Sequence, residues 1–128
     1  MLKHNLSLLV WIAAGGALGA MARYLFALGI KAVNPYHFPF STLCINVLGG
    51  FLVGIVFVYL AKHNYEEQLR AFLVIGVLGG FTTFATFSLE TFSLIESDRY
   101  LAACIYILAS VCLSVLGTWL GVKLLRAL

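Results

Sequence analysis

The segment GGFTTFATFS, residues 79–88, decides the fold, because it lies inside a stretch from about Phe72 to Phe92 that is otherwise apolar enough to enter a bilayer. A glycine in a helix interior costs up to about 1 kcal/mol relative to alanine, and adjacent β-branched residues add crowding at χ1. The paired glycines and threonines therefore predict that a membrane helix breaks near Gly79–Thr83. A broken membrane helix exposes backbone carbonyl and amide groups that ions can use.

The composition around this segment is that of an integral membrane protein. Of the 128 residues, 62% are hydrophobic and 10% are charged, against about 25% charged residues in a soluble domain, and the mean hydropathy is +1.03. Four windows contain the roughly 20 apolar residues that cross a bilayer, namely residues 6–28, 40–61, 72–92 and 101–124. The connectors are too short to fold alone, so we expect one all-α domain, residues 1–128, of four transmembrane helices.

The basic residues are divided between the two sides of the membrane. With four spans both termini share one side, which carries Lys3, Lys62, Arg70, Lys123 and Arg126. The other side carries Lys31, Arg99 and Arg23. Proteins with one orientation usually show a stronger bias than five against three. This weak bias leaves insertion in both orientations open; the alternative, which charge counting alone favours, is a single orientation with both termini in the cytoplasm.

Small residues recur where transmembrane helices would pack closely. Gly15 and Gly19 in the first span, and Gly50 and Gly54 in the second, are small-xxx-small pairs. The fourth span has one small or polar face, formed by Tyr106, Ser110, Ser114, Gly117, Thr118 and Gly121. We expect these stripes to be helix contacts. Because four helices alone rarely enclose an aqueous path, transport would require an oligomer.

Three polar side chains lie at membrane depth, where a charged residue costs at least about 2.5 kcal/mol and usually faces a protein interior or a water-filled cavity. Arg23 continues the glycine face of the first span, and Asn46 lies in the second. Glu90 shares a predicted helical face with Thr83 and Thr86. Alternatively, Arg23 and Glu90 snorkel to an interface and Asn46 bonds between helices. Taken together, the three favour a polar path.

Aromatic rings accompany the hydroxyl groups of the opening segment. Phe81, Phe84 and Phe87 recur every three residues among the threonines. A phenylalanine stripe usually faces lipid. Beside hydroxyls and an amide it has another use, because the electropositive ring edge can face an anion.

Three motifs carry a resemblance over essentially the whole chain: GGALGAMARY at 15–24, STLCINVLGGFLVG at 41–54 and GVLGGFTTFATFS at 76–88. In order and spacing they resemble the signatures of the small dual-topology fluoride channels, the Fluc or CrcB family. Each motif alone would be weak, but the combination is specific. The resemblance implies a channel through which fluoride leaves the cytoplasm passively. It also implies an antiparallel homodimer with two pores in a bacterial inner membrane.

The same resemblance implies roles for individual residues. Asn46, Phe84 and Phe87 would flank the fluoride path, and Arg23 would lie near the vestibule. The carbonyls of Gly79 and Thr82 would bind a structural sodium ion at the dimer centre. The other polar positions of the route would be Thr42, Thr86, Glu90, Tyr106 and Ser110. Ala85 departs from the family, which commonly has serine there, so one hydroxyl is missing.

Two other classes of protein remain as alternatives. A proton-coupled multidrug exporter can also be a four-helix, dual-topology dimer, but the first span lacks the carboxylate that this mechanism needs. A small membrane enzyme would need an acid pair, a nucleophile with its base or a metal cluster. The carboxylates other than Glu90 are the loop residues Glu66, Glu67, Glu96 and Asp98. We therefore expect no enzymatic activity, and no nucleic-acid partner.

Overall fold

A computed structural model describes residues 2–33, 38–63 and 67–128. Every regular element in these ranges is helical: α1 (Leu2–Val33), α2 (Phe40–His63), α3 (Glu67–Arg70), a π-helical segment (Ala71–Leu78), α4 (Gly79–Phe81), α5 (Phe84–Glu96) and α6 (Tyr100–Ala127). The first two predicted connectors lie partly outside the described residues, since 34–37 and 64–66 are not described, and Glu66 falls there too.

The described chain contains four stretches that are long and apolar enough to cross a membrane. They are Lys3–Val33, Phe40–His63, Glu67–Glu96 and Tyr100–Ala127. Each predicted span falls inside one of them. The protein is therefore an all-helical, multi-pass membrane protein. Glu67–Glu96 is called the third span below.

The spans are arranged as two pairs of parallel helices. α1 lies along the third span, and His4 Nε2 is 2.9 Å from Glu67 Oε2 where both begin. α2 lies along α6, and Lys62 Nζ donates to the Leu125 carbonyl at 2.9 Å where both end. This pairing follows from four spans that alternate in direction, since the first and third run one way and the second and fourth the other.

Glycines allow α1 and the third span to approach backbone to backbone. A Cβ added to Gly19 would collide with the Val77 carbonyl, and one added to Gly80 would lie 2.6 Å from the Gly16 carbonyl. Backbone atoms cannot move aside as the end of a flexible side chain can. The predicted packing role of the first-span glycines is confirmed.

The α2–α6 pair uses glycines from both helices. A Cβ at Gly50 would lie 2.6 Å from the Ser114 carbonyl, and one at Gly117 would lie 3.0 Å from the Val47 carbonyl. The small face predicted on the fourth span therefore packs against the small-xxx-small pair of the second.

The third span breaks at Thr82 and Thr83. Thr82 (φ −77°, ψ 158°) and Thr83 (φ −151°, ψ 118°) are extended, so α4 ends at Phe81 and α5 begins at Phe84. The predicted break is confirmed, but it follows the glycine pair instead of falling on it. The preceding turns are already irregular, because the Gly79 N–H donates to the Val74 carbonyl in the wider π pattern. Single π turns inside helices are frequent at functional sites.

A tight turn returns the chain from α5 to α6. Asp98 has a positive φ of 56°. Its N–H donates to the Ile95 carbonyl at 3.0 Å, and the Arg99 N–H donates to the Leu94 carbonyl at 2.9 Å. This is a Schellman motif, which satisfies the last carbonyls of α5. It brings α6 back alongside α5.

Replacing Gly80 with alanine is expected to destabilise the protein, although alanine is the better helix former. Its Cβ would lie 2.6 Å from the Gly16 carbonyl, and overpacking typically costs about 1–3 kcal/mol. Gly29→Ala is the matched control, because nothing described lies within 4 Å of a Cβ there; it should be neutral or stabilise by up to about 1 kcal/mol. Equal melting temperatures of the two variants in detergent would contradict the packing role of Gly80.

Candidate functional site

Two carbonyl groups lose their helical partners at the break. In a continuous helix the Gly79 carbonyl would accept from the Thr83 N–H, and the Thr82 carbonyl from the Thr86 N–H. Instead, the Thr83 N–H donates to Asn46 Oδ1 at 2.9 Å, and the Thr86 N–H donates to Thr83 Oγ1 at 3.2 Å. The Gly79 and Thr82 carbonyls are therefore available to other donors or to a cation.

Asn46 of α2 clamps the break with both ends of its amide. Its Oδ1 accepts from the Thr83 N–H at 2.9 Å, and its Nδ2 donates to the Thr83 carbonyl at 3.0 Å. A backbone group left without a partner at bilayer depth would cost several kcal/mol. The sequence suggested an amide donor for an ion at this position. In the structure, one N–H of that amide donates to the Thr83 carbonyl. The second N–H remains to donate to an ion.

Thr83 caps α5. Its Oγ1 accepts from the Thr86 N–H and donates to Thr86 Oγ1 at 3.0 Å. Threonine is among the favoured N-cap residues because its hydroxyl satisfies one of the orphan N–H groups of a first turn. Since Thr83 is extended, it does not share a continuous helical face with Thr86 and Glu90, and that prediction is wrong.

Arg23 of α1 also reaches the break. Its Nη1 donates to the Thr82 carbonyl at 3.3 Å. The hydroxyl of Thr82 points back along the helix and donates to the Leu78 carbonyl at 2.9 Å. The predicted position on the close-packing face explains this contact, because Arg23 lies one turn after Gly19.

The carbonyls at the break form a donor set that suits a small monovalent cation such as sodium. Carbonyl oxygens are hard, neutral ligands, whereas a divalent ion would normally recruit carboxylates. Within the described ranges, no group of three or more His, Cys, Asp or Glu residues could hold a metal ion. Gly79 and Thr82 together offer two such oxygens per chain.

An open cavity of about 430 Å³ lies between α2, the third span and α6, beside the break. Of the predicted site residues, it is lined by Asn46, Gly79, Thr82, Phe84, Phe87 and Ser110. Ser114 lines it as well. The hydroxyl oxygens of Ser110 and Ser114 are buried and have no hydrogen-bond partner among the described residues. Because buried hydroxyls are normally satisfied, these two are candidates for a hydrogen-bond partner that the described residues do not supply.

The phenylalanine stripe is divided by the break. Phe81 packs edge-on against Phe26 of α1, with ring centroids 6.0 Å apart, so it belongs to the α1 contact. Phe84 and Phe87 stay together on α5 at 5.4 Å. Phe84 is 78% exposed, whereas Phe87 is buried. The prediction of one continuous stripe therefore holds for two of its three members.

A second polar cluster surrounds Glu90. Tyr106 OH donates to Glu90 Oε2 at 2.7 Å, and Thr42 Oγ1 donates to Glu90 Oε1 at 3.0 Å. The donors Thr42 and Tyr106 are both buried, and hydrogen bonds to a carboxylate are stronger than those between neutral groups. The Tyr106 ring contacts Phe87 at 5.2 Å. Phe87 therefore connects the cavity with this cluster.

The predicted site residues thus fall into two groups, those that line the cavity and those of the Glu90 cluster. Thr86 lies at the cap of α5, and Arg23 contacts the break from α1. Ala85 is exposed in the first turn of α5, where the methyl group offers no hydrogen bond. Two residues were missing from the predicted set, Thr83 and Ser114. The signal for Ser114 was its four-residue spacing from Ser110, and the signal for Thr83 was a threonine directly before a regular helical pattern.

The fold and the site define a class of protein: a multi-pass membrane protein whose third span is broken beside a cavity lined by hydroxyl groups and aromatic rings. The sequence model of the CrcB-like protein, Camphor Resistance (CrcB) family matches residues 10–122. The chain belongs to this family.

Curated relatives match this chain over nearly its full length. A fluoride-specific ion channel FluC of Geobacter sulfurreducens is 47% identical over 118 residues, covering 91% of this chain and 95% of that protein. One of Hahella chejuensis is 45% identical over 119 residues, covering 92% and 94%. One of Geobacter metallireducens is 44% identical over 121 residues, covering 94% and 98%.

Proposed function

We infer that this protein is a fluoride-selective ion channel, not an enzyme, and that it lets fluoride leave the cytoplasm passively across a bacterial inner membrane. Relatives that are 44–47% identical are named fluoride-specific ion channels. The observation in the structure that carries the inference is the cavity beside the broken helix. Phe84, Phe87, Ser110 and Ser114 all line this cavity, and the two serine hydroxyls lack partners among the described residues.

The chemistry of fluoride accounts for this lining. Fluoride is small and strongly hydrated, so a path must replace the hydrogen bonds of water with donors of its own. The serine hydroxyls, the second amide hydrogen of Asn46 and the electropositive ring edges are such groups. A narrow constriction excludes the larger chloride, and several modest sites in series let the ion leave again.

The route continues past Phe87 to the Glu90 cluster. Phe87 adjoins both the cavity and Tyr106, at 5.2 Å between ring centroids. The hydroxyls of Tyr106 and Thr42 are donated to Glu90, so a fluoride ion that uses them displaces the carboxylate as acceptor. Thr86 adds a further hydroxyl at the start of α5.

The channel is an antiparallel homodimer in which each chain contributes one four-helix transmembrane domain. Phe84 is 78% exposed and Gly79 is exposed in the cavity wall, and a second copy would cover both. A Cβ at Gly79 would make only an ordinary contact, 3.5 Å from the Val74 carbonyl. The packing of the described chain therefore does not require glycine there, whereas the close approach of a proposed partner would.

A structural sodium ion at the dimer centre completes this arrangement. If the two breaks meet on a two-fold axis, the Gly79 and Thr82 carbonyls of both chains place four hard oxygens around one point. The ion would replace the hydrogen bonds that the break removes and would tie the chains together. It would not be transported.

Adding two lysines to the connector of residues 31–39, part of which lies outside the described residues, is expected to bias insertion and to lower fluoride efflux from cells that express this variant alone. Lysine-rich loops stay in the cytoplasm, so every copy would point the same way and antiparallel pairs would be lost. Two lysines added to the 62–69 connector should give the opposite bias, and coexpression of both variants should restore efflux. Site-directed labelling that finds a single orientation in the wild type would end this hypothesis.

Replacing Phe84 or Phe87 with isoleucine is expected to lower fluoride flux about tenfold while the dimer still assembles. Isoleucine keeps an apolar side chain of similar bulk but removes the ring quadrupole, whose interactions contribute up to about 1.5 kcal/mol. Phe92→Ile is the matched control, because Phe92 is exposed on α5 away from the cavity lining. Unchanged flux in both test variants, measured in liposomes with a fluoride electrode, would return these rings to a packing role.

Passive flux separates the channel from the proton-coupled exporter. Purified protein in liposomes should release fluoride when a potassium ionophore clamps the voltage and no pH gradient is present. Release that needs a proton gradient, or proton-driven uptake of an organic cation, would favour the exporter and overturn the proposed function.

A further inference from the structure

The proposed cation site uses the carbonyls of Gly79 and Thr82. In the described chain, the Thr82 carbonyl already accepts a hydrogen bond from a cationic side chain, Arg23. Its helical donor is lost, because the Thr86 N–H donates to Thr83 Oγ1 at 3.2 Å. Arg23 Nη1 donates to it instead, at 3.3 Å. The sequence offers no local signal for this contact, because 59 residues separate the two.

The position of Arg23 is fixed by backbone packing. Gly19, one turn earlier, lies so close to the third span that a Cβ would collide with the Val77 carbonyl. Phe26, less than one turn later, packs edge-on against Phe81 at 6.0 Å. These contacts on both sides hold the backbone of α1 at Arg23 beside the break, which places the guanidinium within reach of the Thr82 carbonyl.

The contact is weak enough to leave the oxygen shared. Charge-assisted N–H···O hydrogen bonds are typically about 2.7–2.9 Å long, and this one is 3.3 Å. A carbonyl oxygen has two lone pairs, so it can accept from Arg23 and still face a metal ion. Two positive charges that share one oxygen repel each other, more strongly in a membrane protein interior than in water.

We propose that Arg23 is a positioning residue that opposes cation binding at the break and so sets the sodium affinity of the dimer. The proposal rests on the sodium site of the proposed function. Arg23 satisfies the Thr82 carbonyl in the single chain, which has no other donor for it among the described residues. In the dimer, sodium binds against the charge of Arg23, so the site is weaker than its four oxygens alone would make it.

The test is the sodium dependence of thermal unfolding, followed in detergent with choline as the replacement cation. Arg23→Gln removes the charge but keeps an amide donor, and Arg23→Met removes both but keeps an apolar stem. Both should lower the half-saturating sodium concentration about tenfold, as fitted from the rise of the melting temperature with the logarithm of the sodium concentration. This holds whichever of the two variants is better folded at zero sodium. Arg23→Lys retains the charge and should stay within about threefold of the wild type.

Arg126→Gln is the control for net charge, since Arg126 is exposed in the last turn of α6, and it should leave the half-saturating concentration unchanged. An unchanged value in Arg23→Gln and Arg23→Met, with clear sodium dependence in the wild type, would overturn the role of Arg23 and leave the sodium site standing. Wild-type protein without sodium dependence would overturn both. Fluoride efflux from the same preparations would still decide the channel function separately.

Discussion

Replacing Asn46 with aspartate is expected to reduce fluoride efflux by at least about a hundredfold, the effect of a change of about 2.7 kcal/mol. The substitution changes little in size but replaces the N–H that donates to the Thr83 carbonyl at 3.0 Å with an oxygen. That oxygen would face the carbonyl with like charge. Removing one partner of a buried hydrogen bond costs about 1–3 kcal/mol, and more when a charge is involved. A carboxylate would also stand beside the path of an anion.

Asn5→Asp is the control for Asn46→Asp, because Asn5 is exposed near the start of α1. Efflux from liposomes and the dimer fraction should be measured for both variants. We expect a correctly inserted Asn46→Asp protein that conducts poorly, and Asn5→Asp at the wild-type rate. Near-normal efflux through Asn46→Asp would show that the clamp on Thr83 is dispensable and would contradict the role given to the break.

The second large effect is expected from Gly79→Leu, which should yield folded monomers without fluoride conduction. A Cβ at Gly79 meets only the Val74 carbonyl, at 3.5 Å, so the chain itself can accommodate a side chain. The remaining atoms would extend from the exposed Gly79 toward the cavity, where the proposed partner and sodium ion lie. A branched side chain there would hold the two breaks apart.

Light scattering coupled to size exclusion would measure the oligomeric state of Gly79→Leu, with Gly29→Leu as the control. Gly29 is helical, and nothing described lies within 4 Å of a Cβ there. The helix propensity of the two variants therefore changes alike, while only one of them alters the proposed interface. A Gly79→Leu protein that stays dimeric and conducts normally would remove Gly79 from the dimer contact.

Local patterns were sufficient to predict the spans and the existence of the break. Continuous apolar windows identify membrane helices because no water is available there to satisfy an irregular backbone. The residue at which the helix breaks could not be predicted, because glycine in a membrane helix can either interrupt the helix or allow a neighbouring helix to pack closely. Gly80 serves close packing, since a Cβ added there would lie 2.6 Å from the Gly16 carbonyl. The helix therefore continues through the glycines and ends at Phe81.

The contacts of the site could not be predicted, because they join residues far apart in the sequence. Asn46 and Thr83 are 37 residues apart, and Thr42 and Glu90 are 48 apart. A single sequence shows that these side chains are polar and lie at membrane depth, but not which of them meet. The same limit applies to the phenylalanines, since the break turns Phe81 toward Phe26 and leaves Phe84 exposed.

The cap on α5 is a local feature that the sequence pattern nevertheless did not predict. Thr83 and Thr86 are three residues apart and interact within one turn, so their hydrogen bond is encoded locally. The sequence pattern does not predict this cap, because it places Thr83 inside a helix, on one face with Thr86 and Glu90. A break removes the helical relation between the residues before it and those after it, so the face of α5 has to be counted from its own N-cap.

The most direct test of the channel function compares fluoride and chloride efflux from liposomes that contain the purified wild-type protein. Both ions are measured with ion-selective electrodes under the same voltage clamp by potassium and ionophore. We expect rapid loss of fluoride and negligible loss of chloride, because the proposed path replaces the water around fluoride with hydroxyl and amide donors and its constriction excludes the larger ion. Equal efflux of the two ions, or no fluoride efflux from correctly inserted protein, would contradict a fluoride-selective path through this site.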